Sequence, residues 1–233
     1  MDSYQPDIRT FLDRLITKLS QYKINSDQTQ TQPFSGLSTS ASLKPLLLTL
    51  HCLFPNDFLP SLDILDRKLV HRLLCMDTCD ITSSKPDETA QSEPDPIFLV
   101  ISASAPPLLP GASLATLSTR NQGKVYEVRL RAWNCSCPTF TLSAYRDSHQ
   151  LSEVMVSNHA SVGEAEPSKD EPVAYPFGGT LARGTAWFSP PVCKHILACI
   201  LCVRCPELFG TDGDGRFAVP MEELAGWCAG WGG

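Results

Sequence analysis

Apolar side chains near the start of the chain follow a helical spacing. They recur every three or four positions, at Ile8, Phe11, Leu12, Leu15, Ile16 and Leu19. Charged residues fall between them, so residues 1–24 are predicted to contain an amphipathic helix of about four turns. A polar stretch without periodicity, 25–42, follows as a linker. The helix therefore packs either into the core or against a partner chain.

Residues 43–75 are also predicted to be helical. The sequence "PND" at 55–57 divides them into helices over 43–54 and 57–75, with Asp57 as the N-cap of the second. An apolar stripe runs along that second helix, through Phe58, Leu62, Leu65, Leu69 and Leu73. His71, Cys75 and Cys79 follow at intervals of four, which suggests a metal-binding stripe as an alternative. A buried cysteine beside a surface histidine is the commoner arrangement and is preferred here.

Strand patterns appear only after an acidic linker over 76–96. The short apolar run 97–102 predicts one strand, and the alternation in "KVYEVRLRAW", 124–133, predicts a second that is half-buried. Pro138 opens a short helix, a disordered insertion spans 147–190, and an apolar helix covers 191–209. The tail 210–233 ends in a short helix that either packs or frays. The predicted fold class is α+β.

Composition places these elements in a globular protein with irregular stretches. The 233 residues are 42% hydrophobic, yet they include 19 prolines clustered with polar and acidic residues. We expect no signal peptide and no membrane span, because the first residues lack a basic and apolar leader and the longest apolar runs are short. In a reducing compartment, ten cysteines indicate metal binding or buried thiols and not a disulfide framework.

The negative charge is concentrated in the predicted linker and insertion. Residues 77–95 hold six acidic side chains and one lysine, and residues 147–175 hold six and one again. The whole chain has a net charge of −6, so the remaining residues are net basic. A polyanionic partner is therefore compatible with the predicted ordered part.

The candidate chemistry lies in two close pairs of metal-binding side chains. Cys135 and Cys137 follow directly on the second strand, and Cys193 and His195 begin the apolar helix. Soft and borderline ligands in this number match a tetrahedral zinc ion. Free N–H groups and the helix dipole favour a thiolate at the start of a helix. We predict one structural Zn²⁺ held by three cysteines and one histidine, which joins the strand pair to the helix across the insertion.

Three further cysteines compete for the metal. Cys199, Cys202 and Cys205 are spaced by three residues and end in Pro206, a pattern that superficially suggests iron–sulfur ligation. On a regular helix such thiols fan along one side, and no loop is present to wrap a cluster. They are predicted to pack in the core.

The forms "CSCPTF" and "CKHILA" resemble the SWIM-type zinc finger subunits of the Shu complex, which acts in homologous recombination. Ala198, three residues beyond the histidine, extends this resemblance, and "SLDILDRKLV", 61–70, is similar to the family's helix that ends in Asp-Arg before its first strand. The similarity covers residues 43–75, 97–145 and 191–204. The SWIM-type zinc module is accordingly predicted to span residues 97–209.

The resemblance implies a nuclear, non-enzymatic subunit. Such proteins pair with a recombinase paralog of the RecA-like class and promote recombinase filament assembly on single-stranded DNA. No membrane and no small-molecule substrate are implied. Ala198 is expected to let the partner or a neighbouring element approach the helix closely.

The alternative is a zinc finger that binds DNA directly. Arg129 and Arg131 are predicted to share a strand face with Trp133, and two cations with an aromatic ring are suited to a single strand. A solvated strand face is the simpler interpretation. Enzymatic activity has little support, because the phosphate-binding and calcium-binding loop patterns are both incomplete in "GTDGDG" and no catalytic triad can be assigned.

Overall fold

A computed structural model describes residues 8–22, 36–75, 96–102, 125–155, 174–180, 190–210 and 216–229. The helices are α1 (Ile8–Ser20), α2 (Gly36–Leu53), α3 (Phe58–Asp66), α4 (Pro138–Met155), α5 (Lys194–Arg204), α6 (Pro206–Phe209) and α7 (Met221–Cys228). The strands are β1 (Val70–Cys75), β2 (Phe98–Ile101), β3 (Val125–Arg129), β4 (Asn134–Cys135) and β5 (Arg216–Val219). The predicted α+β class is confirmed.

The five strands form one mixed sheet in the order β4-β3-β2-β1-β5. Neighbouring strands are antiparallel except β1 and β5, which are parallel. Every residue of the central strand β2 is buried, because apolar side chains cover both faces of the sheet. This explains why the sequence of β2 is a continuous apolar run.

Helix α5 lies at the centre of the main core. Its residues from His195 to Leu201 are all buried, and it packs against α3, α1 and the strands β1, β3 and β4. The apolar face of α1 is buried in the same core, so the core-packing interpretation of this helix is the correct one. None of the described helices has the length and apolar character needed to cross a bilayer.

The predicted helix over 57–75 is wrong beyond Asp66. The chain leaves α3 through Lys68, whose φ is 53°, and residues 70–75 form β1. The N–H of Lys68 donates to the Leu65 carbonyl and that of Leu69 to the Ile64 carbonyl, at 3.0 Å each. This is a Schellman ending with lysine in the position that usually holds glycine. The helix ends at the Asp66-Arg67 pair that the resemblance had marked.

Three other predicted boundaries are corrected. Helix α2 begins at Gly36, inside the predicted linker 25–42. Helix α4 continues to Met155, and residues 174–180 pack on the core through Phe177, so the insertion 147–190 is not disordered in these two parts. Residues 156–173 and 181–189 of the insertion, and the acidic linker at 76–95, lie outside the described residues. The tail supplies β5 and α7.

Buried His71 on β1 makes stability depend on pH. Its side chain is 8% exposed and its ring lies 4.9 Å from that of Phe217. Burial lowers the pKa of His71 from 6.5 to about 4. The unfolded chain therefore takes up a proton near pH 6.5 while the folded chain does not. The contribution of His71 to the free energy of unfolding is complete above pH 6.5 and is lost as the pH falls towards 4.

We expect His71→Leu to flatten this dependence. The wild type should lose up to roughly 3 kcal/mol more unfolding free energy than the variant between pH 6.5 and 4. Urea unfolding of both proteins at several pH values measures the difference. Protonation of carboxylates occurs in both proteins, so its effect cancels. Parallel curves would show that His71 does not cause the dependence.

Candidate metal centre

The β3–β4 ribbon positions the first pair of cysteines. Cys135 lies on β4 opposite Val128, and the Ser136 N–H donates to the Glu127 carbonyl at 3.0 Å. The Ser136 hydroxyl in turn accepts a hydrogen bond from the Glu127 N–H at 2.9 Å. These bonds fix Ser136 against Glu127. Cys135 and Cys137, its two neighbours in the chain, are therefore held on either side of it.

Cys137 and Cys193 each stand at the start of a helix. Cys137 directly precedes Pro138, the first residue of α4, and Cys193 is the N-cap of α5. Proline fits the first helical position because it lacks the N–H that would otherwise be unpaired there. The positive ends of both helix dipoles therefore point towards the sulfurs and favour thiolates. His195 follows in the first turn of α5 and is buried.

The two pairs meet in one cluster. The four ligand atoms of Cys135, Cys137, Cys193 and His195 all lie within 4.8 Å of one another. Cys135 Sγ is 3.7 Å from His195 Nδ1, so Nδ1 is the ring nitrogen that would face a metal ion held by this cluster. The four side chains are 0–3% exposed. These residues can hold a metal ion, as predicted from the two close pairs.

Backbone N–H groups and a neighbouring ring support the ligands. The Phe140 N–H donates to Cys137 Sγ at 3.3 Å, and the Cys137 N–H donates to Cys135 Sγ at 3.5 Å. The His195 ring stacks on Tyr126, with centroids 4.4 Å apart. Such second contacts orient metal ligands and stabilise negative charge on sulfur.

Hydrogen bonds among the thiols shift their pKa values in opposite directions. Hydrogen bonds from Cys135 and Cys193 lower the pKa of Cys137. Hydrogen bonds with Cys137 and Cys193 raise the pKa of Cys135, and burial raises it further. Cys137 is the thiol whose ionised form these hydrogen bonds favour, and a metal ion bound here would displace the thiol protons into solvent. Because metal binding releases protons, the affinity falls as the pH falls.

Asp57 lies beside the cluster and occupies the predicted N-cap position of α3. Its side chain makes no capping hydrogen bond to that helix. Burial raises the pKa of Asp57, and a hydrogen bond from the Lys194 N–H acts against this rise. Its carboxylate thus faces the first turn of α5, whose own N-cap, Cys193, also makes no side-chain capping bond. Asp57 caps the ligand helix from outside.

Three further cysteines, Cys199, Cys202 and Cys205, lie on α5 and at its C-cap. Cys199 and Cys205 are fully buried, and Cys205 Sγ donates to the Ile16 carbonyl at 3.6 Å. Burial raises the pKa of both thiols. Within the described ranges, these three residues form no ligand cluster, and Cys199 and Cys205 pack in the core as predicted.

The predicted metal stripe on a helix does not exist in that form. His71 and Cys75 lie on strand β1, where residues four apart are separated by far more than one helical turn. Cys79 lies outside the described residues. The preferred interpretation of a surface histidine is also wrong, since His71 is buried.

The predicted DNA-contact face is broken after Arg129. Strand β3 ends there and residues 130–133 form a turn, so Arg131 and Trp133 do not continue the strand alternation. Trp133 is fully buried and donates its indole N–H to the Pro191 carbonyl at 2.9 Å. It therefore cannot stack on a base in this fold. Arg129 pairs with Glu127 at 2.5 Å, while Arg131 is exposed and lies over the Tyr175 ring.

Ala198 is fully buried within the chain itself. The side chain does not reach a surface on which a partner could dock, so of the two expected roles only close approach by a neighbouring element fits. Helix α3 is the element most extensively packed against α5. The small side chain of Ala198 therefore allows close packing within the core.

Sequence reasoning missed two residues that pack beside the turn at 130–133, which joins β3 to β4 and is called the ribbon turn. Phe177 contacts Trp133, and Gly179 approaches the Leu130 and Arg131 carbonyls, although both residues lie in the predicted insertion. A local signal was present, because "YPFGG" at 175–179 combines aromatic rings and glycines inside an acidic, polar stretch. An apolar cluster of this kind indicates an anchor point within a loop.

Comparison with models of known protein families gave no match, and comparison with curated proteins gave no significant match.

Proposed function

We propose that this chain is a non-enzymatic adaptor whose fold depends on one structural zinc ion. The observation that carries the proposal is the buried cluster of Cys135, Cys137, Cys193 and His195, with all ligand atoms within 4.8 Å. The ion would join the β3–β4 ribbon and the start of α4 to the start of α5. Since α5 is the central element of the core, the metal would organise the whole domain.

Zinc suits the donor set better than other common ions. Zn–S bonds of about 2.3 Å and Zn–N bonds of about 2.0–2.1 Å at tetrahedral angles separate sulfur from nitrogen by about 3.6 Å. The Cys135–His195 distance of 3.7 Å agrees with this. Three thiolates with one imidazole are typical of zinc, whereas calcium and magnesium prefer oxygen ligands.

A structural role follows from the number and burial of the ligands. Four protein ligands complete a tetrahedral shell, so no position is left for water or substrate. Catalytic zinc sites keep such a position open. The cluster is also almost inaccessible to solvent. Both features support an adaptor over a metalloenzyme.

The proposed partner is a recombinase paralog of the RecA-like class, and the proposed action is to promote recombinase filament assembly on single-stranded DNA in the nucleus. This part is supported by the similarity of "CSCPTF" and "CKHILA" to SWIM-type subunits of the Shu complex. The ligand pairs of that resemblance are the residues that the fold brings together. The partner contact would depend on zinc through the fold.

Co-purification tests this function. The tagged full-length chain should retain a RecA-like paralog and about one zinc per chain. Cys135→Ser should lose both, while Cys52→Ser, the same change at an exposed cysteine on α2, should keep both. Retention of the paralog by the zinc-free variant would contradict the proposal, as would the absence of any RecA-like protein from the wild-type sample.

Direct DNA binding remains a second candidate because of one contact. Arg131 lies on the ribbon turn, and its guanidinium is 5.9 Å from the ring centroid of Tyr175 in the segment 174–180. Tyr175 thus supplies the aromatic ring beside a cation that buried Trp133 cannot supply. If this candidate is correct, the chain alone binds single-stranded DNA in a salt-dependent manner and Arg131→Glu weakens the binding. Arg67→Glu provides the same charge change in a surface ion pair. Binding that appears only with the partner favours the adaptor.

A further inference from the structure

We propose that Trp133 and the segment 174–180 are positioning elements of the metal centre, which hold the two ligand pairs together and slow the release of the ion. This inference rests on the metal-binding part of the proposed function. It assigns a task to a piece of the insertion that lies more than ten residues from any ligand in sequence. Three sets of contacts carry it.

The first contact joins the approaches to both ligand pairs directly. Trp133 stands two residues before Cys135, and Pro191 stands two residues before Cys193. The Trp133 indole N–H donates to the Pro191 carbonyl at 2.9 Å. This hydrogen bond connects the same two stretches of chain as the metal does, independently of the ion. It keeps the ligand pairs near each other when a ligand bond opens.

The second set of contacts packs the segment 174–180 onto the ribbon turn. The Thr180 N–H donates to the Arg131 carbonyl at 2.8 Å. Gly179 has a φ of +52°, and a Cβ built on it would lie 2.4 Å from the Arg131 oxygen and 2.7 Å from the Leu130 oxygen. Only glycine allows backbone to approach this closely at such a φ. The segment thus touches the turn that leads into Cys135.

The third contact packs a second aromatic ring against the indole. The Phe177 ring lies 4.7 Å from that of Trp133, and both side chains are almost fully buried. Trp133 itself has a φ of 50°, an unfavourable value for a bulky residue. Such a conformation persists only where the surroundings enforce it. The contacts to Phe177 and Pro191 enforce it here, and the turn then delivers Cys135 to the cluster.

Preorganisation of this kind affects the metal more than it affects overall stability. When ligands are already held in place, the ion does not have to order them, so affinity rises and dissociation slows. A residue with a purely structural role would change the melting temperature but leave the ligand geometry and release rate of the folded protein unchanged. Metal release therefore separates the two roles.

The test measures zinc transfer from the full-length protein to a chromophoric chelator, at a temperature where circular dichroism shows each variant to be folded. Gly179→Ala should release zinc at least about tenfold faster than wild type, because the added methyl group forces the segment off the turn. Trp133→Phe keeps an aromatic ring, although a smaller one, but loses the indole N–H, and should release zinc about fivefold faster. Cobalt-substituted samples of both variants should show altered d–d bands.

Gly226→Ala on α7 is the matched control, since a Cβ there meets no atom within 4 Å. It should match the wild type in rate and spectrum. Wild-type rates and spectra in both Trp133→Phe and Gly179→Ala would overturn the inference while leaving the zinc site intact. If Gly179→Ala does not fold, the result for Trp133→Phe decides alone. A wild-type chain that takes up no metal would overturn the proposed function, and this inference with it.

Discussion

Cys135→Ser and His195→Ala are each expected to abolish cooperative folding of the chain. Zinc binding to small zinc domains is worth roughly 10–16 kcal/mol at neutral pH. A whole domain is stable by only about 5–15 kcal/mol. Loss of one ligand from a buried cluster therefore removes an amount of free energy comparable to the total. Circular dichroism during thermal or urea unfolding should show no sigmoidal transition, and elemental analysis should show no retained zinc.

Cys52→Ser controls for the chemical change, because Cys52 is exposed on α2 and lies outside the cluster. It should unfold as the wild type does. Addition of a strong chelator to the wild type should reproduce the behaviour of the ligand variants. If Cys135→Ser unfolds cooperatively with near wild-type stability, the metal does not support the fold and the structural role is wrong.

Asp13→Ala is expected to lower the free energy of unfolding by about 3–5 kcal/mol, because it leaves the charge of Arg204 buried without its partner. The Arg204 side chain is 6% exposed and pairs with Asp13, which is 20% exposed. Arg204 also donates to the Asp13 carbonyl at 2.9 Å and to Thr17 Oγ1 at 2.8 Å, and the Phe177 N–H donates to Asp13 Oδ1 at 3.0 Å. One carboxylate thus ties α1, the end of α5 and the segment 174–180 together.

Asp63→Ala removes an ion pair of the same type from the surface and serves as the control. Asp63 and Arg67 are 57% and 43% exposed and lie 3.7 Å apart. Surface pairs of this kind contribute less than about 1 kcal/mol. Urea unfolding of the two variants at the same pH compares the effects. Equal small losses would mean that the buried network does not anchor α1.

The cluster of four candidate ligands could be predicted from sequence because its signal is local. Each ligand pair is separated by one residue, and each has a strand or a helix beside it that determines its direction. Only the meeting of the two pairs depends on tertiary structure. A long chain segment between them costs little, since loop closure grows with the logarithm of length. The two pairs therefore lie in contact across the insertion, as expected.

The missed features depend on contacts between distant residues. The end of α3 was missed because Lys68 takes a conformation that usually requires glycine, while Leu69 and Leu73 happen to continue the helical spacing into β1. Trp133 was assigned to a solvent-exposed face because its indole partner, the Pro191 carbonyl, is 58 positions away. Periodicity describes one element at a time and carries no information about such partners.

The tail shows the same limit. Residues 216–219 are too short and too mixed to stand out as a strand, yet they pair with β1 in parallel, from Arg72 with Arg216 to Cys75 with Val219. A parallel edge strand obtains its hydrogen bonds and buried area from a neighbour that is more than 100 residues earlier in the chain. Its formation is therefore decided by the sheet and not by its own sequence.

X-ray absorption spectroscopy at the zinc edge on the purified full-length protein tests the central claim most directly. The four ligands Cys135, Cys137, Cys193 and His195 predict three sulfur neighbours at about 2.3 Å and one nitrogen at about 2.0–2.1 Å, with no further light ligand. A shell of four sulfurs would mean that a thiol such as Cys199 replaces the histidine. A shell with a water oxygen would mean an open site, and either result would contradict the closed structural centre described above.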